Sequence, residues 1–147
     1  MSNPYAQVPS AIEDNCDVIT VWNYAATAIG AGAPLVIDET NLDSTKPTLA
    51  VATIASANST KRVGIAKNAI PAAVTSPSGV VTPGVGQMVV GGICRSASAS
   101  TAFTVGQQVA TAATAGLVAV STTAGAILGT VIKAETTTTP LIMMGLS

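Results

Sequence analysis

The chain contains no histidine. That removes histidine-based triads, most zinc sites and the usual general base at neutral pH. Charge is also scarce: charged side chains make up 9% of the 147 residues, where typical domains carry about 25%. The formal net charge is -1, so no basic footprint marks a nucleic-acid partner. Aromatic residues make up 3% of the chain, which leaves no platform for stacking bases. Two cysteines, Cys16 and Cys94, are too few for a disulfide framework. Both sit in apolar surroundings and read as free buried thiols, with a single bridge as the alternative. No apolar run reaches the ~18 residues of a membrane helix. The first basic residue is Lys46, so no positively charged leader is expected. These absences point away from an enzyme, a cofactor site, a nucleic-acid binder and a membrane protein.

What is present is alanine, valine, threonine, serine and glycine. Hydrophobic residues make up 48% of the chain, enough with so little net charge to exclude disorder. β-Branched residues fit a pleated surface, and alanine lets sheets approach closely. Strand-like stretches follow one another at 16–24, 33–38, 48–54, 62–67, 86–96, 107–112, 116–120, 127–134 and 140–146. Gly, Pro, Asn and Asp punctuate them at short intervals, as in an all-β sandwich or barrel. No stretch sustains a helical period against polar positions.

Two segments stand apart. Residues 1–15 hold two prolines and no period, and read as an extended N-terminal arm. Pro4, Tyr5, Val8, Pro9 and Ile12 give that arm its anchor points, for docking on a partner or on its own domain. Residues 16–147 then form a single β domain. Within it, 71–84 carries three prolines and reads as a long surface loop or hairpin excursion. The two halves also echo each other. "GAPLV", "LAVA" and "VGIA" in the first correspond to "GQQVA", "LVAV" and "LGTV" in the second. A duplicated β unit and common β grammar both account for that echo. The glycine inside "VGIA" marks a bulge or a close backbone approach.

Chemical motifs are weak. The acidic turn "DETNLD" at 38–43, with Asn41, offers oxygen ligands for Ca²⁺ but lacks the spacing of a calcium loop; a solvated turn is the expected reading. "GVGQMV" at 84–89 lacks the third glycine of a dinucleotide fingerprint. Between Asn68 and Ile132 the one charged side chain is Arg95. Either Ser and Thr keep that surface wet, or an assembly covers part of it. Lys61, Arg62 and Lys67 crowd into "TKRVGIAK", but strand alternation places Lys61 and Lys67 on one face and Arg62 on the other. Lys61, Arg62, Lys67 and Arg95 are the candidate subunit contacts, with a solvated strand end as the bland reading.

The order "GAGAPLVIDE", "TLAVATIASANSTKRVGIAKNAI", "GQMVVGGICRS", "FTVGQQVATAATAGLVAV", "AILGTVIKAE", "PLIMMGL" resembles the small capsid decoration, or cement, proteins of tailed bacteriophages. The resemblance covers roughly residues 28–146. The first part is also similar to lambdoid head-stabilising proteins. The resemblance implies an all-β fold, a small β-barrel or β-tulip-like domain with an extended N-terminal arm. It implies a homotrimer on the outer surface of an icosahedral head, bound to an HK97-fold major capsid protein and stabilising the lattice. Another virion part, such as a head-fibre base or a tail-tube component, is the alternative. The 71–84 segment and the low charge depart from the family pattern.

Overall fold

The computed structural model describes residues 15–42, 48–98, 103–133 and 140–144. The chain is all-β, as expected. Its strands are β1 (Cys16–Asn23), β2 (Pro34–Ile37), β3 (Val51–Thr53), β4 (Arg62–Ala66), β5 (Val74–Thr75), β6 (Val81–Thr82), β7 (Gly84–Arg95), β8 (Gln108–Thr111), β9 (Val118–Val120), β10 (Gly129–Lys133) and β11 (Leu141–Met144). Among the described residues the one helical element is a short 3-10 turn at Ala124–Ala126. Each stretch whose Val, Ile and Thr content predicts a strand carries one.

A 9-stranded antiparallel sheet runs in the order β3-β2-β4-β7-β11-β10-β8-β9, with β1 added to β7. The path ends at β3 and β9, so the expected small barrel does not close as a continuous ladder. Each half curls until its ends meet through one isolated parallel bridge, Trp22 with Ala50 and Ser98 with Val118. β3 and β9 are three residues long. Crossing a neighbour with the twist of the sheet, a strand this short meets it over one pair.

The echo in the sequence is a repeat in the fold. In the first half β1 pairs with β7, β7 with β4, β4 with β2, and β2 with β3. In the second half the end of β7 pairs with β11, β11 with β10, β10 with β8, and β8 with β9. The loop hydrogen bonds repeat as well. Gly32 N–H donates to Ala66 O at 2.8 Å, and Gly106 N–H to Val131 O at 2.8 Å. Ala66 N–H donates to Ala33 O, and Val131 N–H to Gln107 O, both at 2.8 Å. Gly32 and Gly106 both have positive φ, 81° and 92°, where a side chain is strained. β7 is 12 residues long and serves both rings: its first part ends one and its last part begins the other.

Two hydrophobic clusters fill the rings. Val21, Ile29, Leu35, Val51, Ala66, Ile70 and Met88 belong to the first. Phe103, Val109, Val118, Leu128, Val131 and Ile142 belong to the second, together with Ile65 and Val89. Ile65 pairs with Val89 and Ala66 with Met88 across the β4–β7 ladder. Neighbouring residues on a strand face opposite sides, so this ladder is a wall between the cores. That is why Gly64, Ile65 and Ala66 are all buried, where a sheet wet on one face would alternate. Fully burying a side chain the size of Leu35 or Ile65 stabilises by roughly 1.5–3 kcal/mol.

Candidate interaction surface

The four cations singled out in the sequence lie at the ends of two strands, β4 and β7. β4 carries a bulge: Leu35 pairs with Gly64 and Val36 with Arg62, leaving Val63 without a ladder partner. Simple alternation therefore does not decide which way Lys61 and Lys67 point. Both are exposed and flank the strand. Arg62 is half-buried, and its guanidinium donates to the backbone carbonyls of Ser59 and Ile127. It ties the first ring to the second within one chain. Arg95 is half-buried at the end of β7 opposite Leu141. The anchor residues Pro4, Tyr5, Val8, Pro9 and Ile12 lie outside the described residues. The last residue assigned to the arm, Asn15, immediately precedes β1 and is held to β7, its carbonyl accepting from Ile93 N–H at 3.0 Å.

The acidic turn is built for itself. The Asp38 carboxylate accepts from Thr40 N–H at 3.1 Å and from the Asn41 amide at 2.7 Å. Those bonds close the turn after β2 and leave Asp38 committed locally. Among the described residues no group of three or more potential metal ligands comes together. Cys16 and Cys94 are both free thiols, Cys94 buried. Burial pushes the Cys94 thiol from 9.0 up to about 12, with a smaller push from neighbouring Cys16. A thiol held this high stays protonated and unreactive at neutral pH.

Exposed large apolar side chains occur on both rings, among them Val105, Val120 and Met143 on the second, and several gather at the 71–84 segment. Residues 71–84 form a hairpin, one of the two forms expected for this segment. β5 and β6 make a separate 2-stranded sheet, closed by a serine-rich turn. Ser76 N–H donates to Val80 O at 2.9 Å, Gly79 N–H to Ser76 O at 2.9 Å, and Val80 N–H to Ser76 Oγ at 3.1 Å. Gly79 takes φ 85°, the left-handed conformation such a turn requires. Val74 is 69% exposed and Val80 62%. At the foot of the hairpin Val85, 53% exposed, pairs with Trp22. Val18 and Ile19 are exposed further along β1, on its opposite faces.

Asn23 fixes this hairpin to the ring. It is fully buried. Its amide donates to Thr27 O at 2.9 Å and to Pro71 O at 3.0 Å, and its Oδ1 accepts from Ala25 N–H at 3.0 Å. Ala73 N–H adds a bond to Ala25 O at 2.8 Å. Beside Asn23 lies a groove of about 410 Å³. Its walls include Ala28, Ala31, Ala33 and Ala52 from the first ring and Ala115 and Gly116 from the second. No charged side chain lines it. Sequence reasoning found the hairpin segment but not the groove, because no local motif marks residues that meet only when both rings have formed.

No protein-family model matches the chain, and no curated protein matches it. A solved structure does: the crystal structure of the N base of the head fibre gp8.5 in bacteriophage phi29. The likeness has a TM-score of 0.59 at 12% identity, and covers 88% of this chain and 95% of that one. Likeness at such low identity concerns the fold, and it extends over both rings.

Proposed function

We propose that this chain is a structural protein of a tailed-phage virion, mounted on the outer surface of the head. The observation that carries the reading is the whole-chain likeness to the phi29 head-fibre base. The surface supports it: valines and an isoleucine meet solvent around β1, β7 and the hairpin, where Asp17 is the one exposed charged side chain of β1. In this reading the chain binds the major capsid protein, self-associates as a homotrimer and stabilises the capsid lattice. Many copies on a symmetric shell turn modest single contacts into avid binding, and preference for the mature lattice stabilises it by mass action. The role requires no catalytic residue and no cofactor.

The likeness favours a second reading on the same site, that the chain is the base of a head fibre. The two readings differ in what the protein does once attached. Cryo-imaging of particles with and without the protein tests the shared part: density on the outside of the head is expected, and its absence overturns both. Heating the two kinds of particle separates the readings. A cement protein raises the temperature at which heads burst, whereas a fibre base leaves it unchanged.

A further inference from the structure

The two rings differ most in the length of one connection. The second passes from β10 to β11 through residues 134–140, while the first passes from β4 to β7 through 67–83 and includes the β5–β6 hairpin. The hairpin lies in the longer of these two connections and contributes to neither core cluster. Val74 pairs with Thr82 and Thr75 with Val81, so each face of the hairpin shows one valine. Among the described residues no ladder extends either of its outer edges. A lone two-stranded hairpin is marginal in water, yet this one is anchored at its foot by Asn23 and Ala73 and closed by an ordered turn.

We propose that the hairpin inserts into the alanine-lined groove of a second copy of this chain. Charge favours that occupant. No charged residue occurs between Asn68 and Cys94, and none lines the groove. A charged partner would lose hydration on either surface without meeting a counter-charge, whereas the two surfaces of this chain meet without that cost. Shape favours it too: alanine and glycine walls let another backbone come close, and a tongue with a valine on each face is suited to lying between two walls. Because tongue and groove are different surfaces of one molecule, the contact is heterologous, and in a homotrimer it closes a three-membered ring. The proposal deepens the self-association included in the proposed function and rests on it.

The test uses the purified full chain in sedimentation experiments. Val74→Asp and Val81→Asp alter the hairpin, and Ala31→Trp fills the groove; Val74, Val81 and Ala31 are all exposed. Each is expected to weaken self-association by roughly tenfold or more while leaving the urea midpoint unchanged, which separates lost contact from lost fold. Mixing Ser78→Cys chains with Ala31→Cys chains under oxidation is expected to give a disulfide-linked heterodimer that neither forms with the wild-type chain. A monomeric wild type overturns the proposal, as does assembly untouched by all three variants. Variants that still assemble but no longer attach to heads also overturn it, placing the hairpin on the shell. The virion reading fails on a different observation, the absence of the protein from particles.

Discussion

Gly64 and Gly129 occupy the same place in the two rings. A Cβ added at Gly64 would lie 2.5 Å from Val89 O, and one added at Gly129 2.5 Å from Met143 O. The obstacle in each case is backbone oxygen, which cannot rotate away. Gly64→Ala and Gly129→Ala should each destabilise by about 1–3 kcal/mol, whereas Gly30→Ala, with open space around it, should stay within about 0.5 kcal/mol. Urea midpoints check this; equal effects at all three positions would refute the account. Cys94 gives a pH signature at the same scale. Its thiol stays neutral in the fold up to about 12, while the unfolded chain ionises it near 9.0. Its contribution to stability is therefore complete below pH 9 and is lost as pH rises from there to about 12, by up to ~1.4 kcal/mol per pH unit. Cys94→Ala should flatten the fall of stability between those pH values relative to the wild type.

At the scale of elements, the hairpin and the rings should respond separately. Gly79→Ala forces a side chain into φ 85° but meets no atom within 4 Å. It should loosen the turn by about 1 kcal/mol and speed amide exchange within 74–82, with the global unfolding midpoint unchanged. Asn23→Ala should act on both. It removes three part-buried hydrogen bonds, to the carbonyls of Thr27 and Pro71 and from the N–H of Ala25, and empties the buried site of the side chain. A loss on the order of 2–3 kcal/mol in global stability should accompany faster exchange in the hairpin. A hairpin effect with no global effect would mean that Asn23 serves the hairpin alone.

For the whole molecule, the wall of Ile65–Val89 and Ala66–Met88 pairs couples the two cores. Met88→Ala opens the first core and Val89→Ala the second, one residue apart on β7. Both should lower a single cooperative transition, detected identically by near-UV signals from Trp22 and Tyr24 in the first ring and by amide exchange at Val109 and Val131 in the second. Two separated transitions would show that the rings are independent folding units. The shared strand β7 argues against that, since neither ring has its full set of strands without it.

The sequence by itself determined the class of fold and the position of nearly every strand, because β-branched residues between Gly, Pro, Asn and Asp are a local signal. It also carried the outline of the repeat in "VGIA" and "LGTV", where glycine is required by the close approach of Val89 O and Met143 O. Local pattern could not fix how the ends of each ring meet. Closure depends on single bridges such as Trp22 with Ala50, between residues far apart in the chain. Nor could pattern foresee that Arg62 would bond Ile127 O in the other ring, since the bulge at Val63 breaks the alternation from which its direction was inferred. The groove beside Asn23 is likewise a product of packing: its alanines come from several separate segments, and only the tertiary structure brings them to one wall.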